Sequence, residues 1–261
     1  MIGIKEMCPG QFGNKIMHYN NLRQLAYFLG QDFWCAPFNG SDIFIDIENT
    51  PEIDITNAFY LTYDIAKEIG KKGILNIAIQ NKLILLKTIL GEMFFWFDEL
   101  STSEIFRLKK SPELGPGVHV AAHFRGTDFH QWDIKAILCQ DYYLKGIEKC
   151  LSHFKGPITF HLFTDDFSLN SYHKSIEFLI AENIPFLTGK IAHPYEDFSI
   201  MSECDVIISS PSTFAIAAGF IGKNKKKIIH SMEWIEYKKN DPFWRSLSEG
   251  GNNNYKLWET L

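Results

Sequence analysis

The sequence predicts an α/β protein whose second half is a parallel sheet covered by helices. Three observations carry that expectation. From about residue 118 onward, short apolar runs of strand length alternate with patterned segments of helix length. The runs are continuously apolar rather than alternating, which is the pattern of strands buried on both faces. The 261 residues are 46% hydrophobic and 15% aromatic with 22% charged, so there is material for such a core and no signature of disorder.

The length admits two domains with a cleft. A formal net charge of -5 argues against nucleic acid as a partner, because such proteins carry a basic stripe that displaces counterions. The one basic run, Lys223 to Lys227 interrupted by Asn224, is short and reads as a solvated turn. Five scattered cysteines show no close pair of the zinc or redox type and are expected to be reduced thiols. Lys5 and Glu6 interrupt the N-terminal apolar stretch before a signal-peptide core can form, and no apolar run approaches the roughly 20 residues that span a bilayer. A cytoplasmic protein without a transmembrane segment is the expectation.

Taken in order, Ile2 to Met7 reads as a strand, Pro9 to Asn14 as a glycine turn, and Ile16 to Leu29 as a helix with apolar residues at helical spacing. Strand-like segments follow at Phe33 to Ala36 and Ile43 to Ile47, then helices over Asn57 to Ile69 and Ile77 to about Phe97, the last containing the aromatic segment Phe94 to Phe97. The pattern breaks at Lys109 to Gly117, rich in Pro and Gly, which places a first domain over 1–110 and a second over 115–261. In the second, strands are predicted at Val118 to Phe124, Ile158 to Phe163, Val206 to Ser209 and Lys227 to His230. Helices are predicted at Asp141 to Phe154, Ser171 to Ala181 and Pro211 to Ile221.

Ligands of such sheets bind beyond the carboxyl ends of the strands, so the residues just after each strand carry the chemistry. After Phe124 stand Arg125-Gly126-Thr127-Asp128, with His123 on the same face of the strand as Arg125. The guanidinium suits a diphosphate, and His123 can bind a base or ribose; alternatively the arginine and aspartate close a turn by an ion pair. After Phe163 come Thr164, Asp165 and Asp166, acceptors for a ribose diol or a base N–H, or caps of the next segment. After Ser209, Ser210-Pro211 reads as the N-cap and first residue of a helix whose Ser212, Thr213 and Phe214 amides would face an anion. Asp197 opens a short helix and either meets its dipole or reaches a base.

Together these segments resemble the fucosyltransferase superfamily that includes the protein O-fucosyltransferases and the α1,2- and α1,6-fucosyltransferases. Gly10-Gln11-Phe12-Gly13-Asn14-Lys15 is similar to its Gly-x-x-Gly-Asn-Gln turn, with Lys15 in place of glutamine. His123-Phe124-Arg125-Gly126-Thr127-Asp128 is similar to its His-x-Arg-x-x-Asp signature, Phe163 to Asp166 to the Phe-Ser-Asp-Asp of the α1,2 branch, and Ser212-Thr213-Phe214 to its Ser-Ser-Phe. The single arginine departs from the α1,6 branch, where two adjacent ones are usual. The resemblance implies a GT-B fold of two Rossmann-like domains facing a cleft, the first on the acceptor side and the second binding GDP-fucose. It implies the essential arginine at Arg125, a base or ribose contact at His123, phosphate contacts at Ser212 to Phe214, and an approach of Asn14 to the diphosphate permitted by Gly10 and Gly13.

The implied reaction is inversion at the anomeric carbon by a glycan hydroxyl, with no metal and no cofactor beyond the donor. Nucleotide-sugar contacts are expected from Gly10, Gly13, Asn14, His123, Arg125, Asp165, Asp197, Ser210, Ser212, Thr213 and Phe214. Asp128, His130 and Asp133 are the candidates for a base, and His130 with Trp132 can instead line the acceptor's path. Another GDP-sugar as donor, or a sugar-nucleotide or glycan-binding protein without catalysis, remains open.

Overall fold

The computed structural model describes residues 1–8, 10–45, 47, 53–81, 83–87, 100–189, 194–221, 227–248 and 257–261. The chain divides into two compact units, Met1–Lys109 and Lys110–Leu261. In the first, strands β1 (Ile2–Ile4), β2 (Phe33–Cys35), β3 (Phe59–Leu61) and β4 (Ile84–Leu86) form a parallel sheet in the order β2-β1-β4-β3. Helices α1 (Phe12–Leu29), α2 (Tyr63–Gln80) and α3 (Thr102–Ile105) accompany it. Its strands are short and apolar on both faces, with Ile2, Ile4, Leu61 and Ile84 fully buried.

The second unit holds six parallel strands, β5 (Val118–Phe124), β6 (Ile158–Thr164), β7 (Phe186–Thr188), β8 (Val206–Ile208), β9 (Lys227–His230) and β10 (Leu257–Thr260). Their order is β10-β9-β8-β5-β6-β7. Read from β7 and counted from the unit's first strand, this is the Rossmann order 3-2-1-4-5-6, whose direction reverses between β5 and β8. The helices are α4 (Phe129–Trp132), α5 (Gln140–His153), α6 (Asn170–Ala181), α7 (Pro194–Glu203), α8 (Thr213–Phe220), α9 (Met232–Tyr237) and α10 (Pro242–Ser248). Because both faces are covered, Val120 to Ala122 and Val206 to Ile208 are sealed from solvent along their whole length.

Several expectations for the first unit are corrected. The apolar run at 83–86 is strand β4 and not part of a helix over 77–97: Leu83, Ile84, Leu85 and Leu86 are all buried, and a short run of that kind has no period that separates strand from helix. The segment Phe94 to Phe97 lies outside the described residues. At 57–69 the chain first forms β3, then Thr62 accepts from the Ile65 amide at 3.3 Å and starts α2. Near 43–47 there is no strand among the described residues. A 3₁₀ turn over Asn39–Asp42 leads instead to a single antiparallel bridge between Phe44 and Leu108. In the second unit β7, β10, α9 and α10 had no counterpart in the sequence pattern.

The central strands of the second sheet should dominate its stability. Ile207→Ala, at a fully buried site in β8, is expected to cost about 2–5 kcal/mol in urea unfolding, whereas Ile180→Ala, 63% exposed on α6, should stay within about 0.5 kcal/mol of the parent.

Candidate functional site

The reversal between β5 and β8 leaves a gap at the carboxyl edge of the sheet, since the connections from these neighbours run to opposite sides. Here the ladder ends and strand carbonyls need other donors. Two tyrosines of α5 supply them. The Tyr142 hydroxyl donates to the carbonyls of Ser209 and Ile229, both at 2.9 Å, and the Tyr143 hydroxyl to that of His123 at 3.0 Å. The ends of β5, β8 and β9 are thus braced from the α5 side, while side chains on the other face are free to build a site.

On that other face His123 is buried, and its Nδ1 lies 2.6 Å from the Ser210 hydroxyl across the gap. Its ring stacks on Phe214 at 5.5 Å, and Phe214 in turn meets Phe198 edge-on at 5.1 Å. Burial, followed by the neighbouring Arg125 charge, holds the His123 pKa down at about 3, against a weaker opposing pull from Asp165. The imidazole is therefore neutral at physiological pH.

Arg125 extends just beyond β5 and is gripped by two carboxylates. Its Nη1 is 2.7 Å from Asp165 and its Nη2 is 2.8 Å from Asp128. The two partners are unlike. Asp165 also accepts the Gly126 amide at 2.8 Å and the Thr127 hydroxyl at 2.6 Å, so both its oxygens are occupied. Asp128 is 51% exposed against 21% for Asp165, and makes no cap to the α4 helix it begins. The guanidinium also lies over the Phe129 ring at 5.6 Å. Its Nε is buried and has no hydrogen-bond partner among the described residues.

The end of β8 requires a correction. Helix α8 begins at Thr213 with Ser212 as its N-cap, not at Pro211 with Ser210. The Ser212 amide donates to the Ser210 carbonyl at 2.7 Å, and the Ser212 hydroxyl accepts from the Phe214 amide at 3.3 Å. Two of the three amides expected to face an anion are thus engaged within the chain, and the Ser210 hydroxyl is taken by His123. What remains at the helix start is the Thr213 position and the positive end of the helix.

A second feature lies further along the same edge. A pocket of about 280 Å³ opens beside the ends of β6 and β7, lined by Leu114, His161, Phe163, Gly189, Asp197 and Ile200 among others. Asp197 is buried in the first turn of α7. Gly189 is required: a Cβ there would come within 2.6 Å of the Phe163 ring and 2.8 Å of the Asp197 carboxylate. Sequence reasoning found Asp197 but missed Gly189, His161 and Leu114. Of these, only the glycine directly after a strand carried a readable signal.

The remaining candidates have contacts of their own. Asp133 pairs with Lys238 at 2.9 Å, and that hydrogen bond, ahead of a smaller opposing effect of burial, holds its pKa below the ordinary carboxylate value. His130 Nε2 lies 3.4 Å from Asp166, which also accepts from the Ser168 amide and hydroxyl. Gly10 lies in the first unit at the turn between β1 and α1, whereas Gly13 and Asn14, expected in that turn, are the second and third residues of α1, which begins at Phe12 and not at Ile16. Gly10 has φ +114, and a Cβ on it would run into the Asn14 side-chain amide.

Together, the two α/β units with all-parallel sheets define a fold of the GT-B type. Two solved structures of POFUT1, a protein O-fucosyltransferase, in complex with GDP are similar. The structure in its third crystal form has a TM-score of 0.52 and 9% identity, covering 84% of this chain and 94% of that one. A high-resolution structure has a TM-score of 0.53 and 11% identity, covering 87% and 96%. At such identity the likeness establishes the fold alone. No protein-family model and no curated protein sequence matches the chain.

Burial of histidines in the second unit makes its stability pH-dependent. His123 is held at about 3, and His161 and His230 at about 4, chiefly by burial, against an ordinary value near 6.5. The unfolded chain therefore takes up these protons first, so the stability they contribute is complete above about pH 6.5 and is lost as the pH falls toward about 4. Urea midpoints should decline over that window, and less steeply in His123→Gln.

Proposed function

We propose that the chain is a glycosyltransferase that takes fucose from GDP-fucose and passes it, with inversion, to a glycan hydroxyl. The observation that carries the reading is the placement of Arg125 at the β5/β8 reversal, fixed by Asp165 and two residues past His123, whose ring stacks on Phe214 in the first turn of α8, in a fold like that of GDP-bound POFUT1.

In this reading the diphosphate meets the Arg125 guanidinium and the positive end of α8 at Thr213. These donors stabilise the charge that develops as GDP departs, and they make a divalent ion unnecessary. The pocket at Asp197 takes the guanine, its carboxylate accepting the base N1 and N2 hydrogens while Phe163 and Ile200 cover the ring. His123, being neutral, is a hydrogen-bonding and stacking group that adds no charge. Asp165 serves Arg125 first, since three donors of the chain already use its oxygens.

Charge balance then assigns Asp128 a distinct part. One guanidinium flanked by two carboxylates leaves a net negative charge, which opposes a diphosphate. Asp165 is held by three donors, so Asp128, half in water, is the partner that yields. Once displaced, it is the carboxylate nearest in sequence to Arg125 that can assist the acceptor hydroxyl, whereas Asp133 is tied to Lys238.

Calorimetric titration of GDP, GDP-fucose, GDP-mannose and UDP in the presence of EDTA tests this. GDP and GDP-fucose should bind, with GDP-mannose and UDP weaker, and Arg125→Ala should lose about tenfold to a hundredfold in affinity. The two aspartates should move in opposite directions: Asp165→Asn weakens GDP by about tenfold, while Asp128→Asn tightens it by a few fold. No guanine-nucleotide binding by the parent protein would sink the proposal, and binding without turnover on any glycan would leave a donor-binding protein that does no chemistry.

A further inference from the structure

Arg125 is the first member of a run of rings and cations that leads outward to the surface of the second unit. Its guanidinium lies over Phe129 at 5.6 Å, and Phe129 packs on Trp132 at 5.0 Å. Trp132 meets Trp234 at 5.8 Å, joining α4, which follows β5, to α9, which follows β9. The Lys238 ammonium lies within 5.5 Å of Trp132, 5.0 Å of Trp234 and 4.7 Å of Tyr237, and Lys135 lies 4.2 Å over the Tyr237 ring.

Most of this run could have been hidden, yet its outer members are not. Trp132 is 56% exposed and Tyr237 46%, while Trp234 between them is buried. A tryptophan left half in water is ordinarily free to adjust. This one is held by Phe129, Trp234 and Lys238, so its exposed surface is fixed in place before any ligand arrives, and little side-chain freedom is lost on binding.

The surrounding charges narrow the ligand. Of the three lysines here, Lys238 is offset by Asp133 at 2.9 Å and Lys239 by Glu236 at 4.0 Å, while Lys135 lies over the Tyr237 ring. One cation in excess, with the other two paired to carboxylates, is too little positive charge around exposed rings to select a polyanion, neither nucleic acid nor an anionic bilayer. It suits a ligand with an apolar face and many hydroxyls at its rim. A pyranose ring is of that kind: its axial C–H bonds lie against an aromatic face while its hydroxyls meet ammonium and carboxylate groups.

We propose that Trp132 and Tyr237 are the stacking platform for sugar rings of the acceptor, and therefore that the acceptor is a carbohydrate chain of at least two residues and not a folded protein. This rests on the transferase reading of the edge at Arg125, because it is the continuity of the ring run with that arginine that makes the ligand an acceptor. Phe129 touches both Trp132 and Arg125, so the chain would run from the platform toward the reacting centre.

The test is a glycan array of neutral and uronate-containing oligosaccharides probed with the full chain, with Trp132→Ala, Tyr237→Ala and Trp132→Phe. The parent should bind one structural class of oligosaccharide, each alanine variant should lose at least about tenfold in affinity for it, and Trp132→Phe should keep most of it, since a ring is retained. Rescue by phenylalanine separates stacking from a fold defect. No binding to any oligosaccharide, or equal binding by parent and alanine variants, overturns the proposal. So does pelleting of the parent but not of Trp132→Ala with vesicles of phosphatidylcholine and phosphatidylglycerol, which would make the patch a membrane contact. The GDP titration is read separately: its failure would remove the transferase reading, and an array result would then describe a glycan-binding surface and not an acceptor site.

Discussion

The Asp165 carboxylate is the interaction on which the candidate site depends. It sits one residue past β6 and collects three donors from the turn after β5: the Gly126 amide, the Thr127 hydroxyl and the Arg125 guanidinium. Adjacent parallel strands bring the two turns together by register, His123 opposite Phe163 and Phe124 opposite Thr164. A long cationic side chain at a strand end would otherwise sample many rotamers, at a cost of up to about 2 kcal/mol when a ligand orders it. Tying two of its neighbours and its own Nη1 to one carboxylate removes most of that freedom before binding.

The arrangement also separates rigid from adjustable charge. Behind the edge, Tyr142 and Tyr143 fix the ends of β5, β8 and β9, and the His123–Ser210 pair closes the gap between β5 and β8 with no net charge. In front of it, Asp128 holds Arg125 from a half-exposed position that solvent can take over at small cost. The α8 dipole adds positive potential where the backbone is already in place and needs no reorganisation. The pocket that the proposed reading gives to the base is displaced along the same edge, toward β7, where the missing side chain at Gly189 leaves room beside both Phe163 and Asp197.

Much of the second unit was legible in the sequence because its strands are long or continuously apolar and are followed by polar turns. Val118 to Phe124 and Ile158 to Phe163 were read almost to the residue. Arg125 and Asp197 stood out as candidates by their positions after a strand and at a helix start, and His123 by sharing a face of the strand with Arg125. What was not legible depended on partners distant in sequence. Nothing local to Asp165 reveals that both its oxygens are used, or that Ser210 is committed to His123. The helix start at Ser212 was misplaced because Ser-Pro is a good local start signal, while the chain uses Ser210 and Pro211 as the turn that carries it from β8. In the first unit, strands of three residues such as β3 and β4 are too short for a period of two to show, and β4 was absorbed into an apparent helix.

The most direct test of the central claim is a crystal structure of the protein with GDP. The account predicts the β-phosphate within hydrogen-bonding distance of Arg125 and beside Thr213, Asp165 still on Arg125, Asp128 turned away, and the guanine against Asp197. A GDP bound away from the carboxyl edge of the second sheet, or bound there with Arg125 still closed between both aspartates and touching no phosphate, would contradict it.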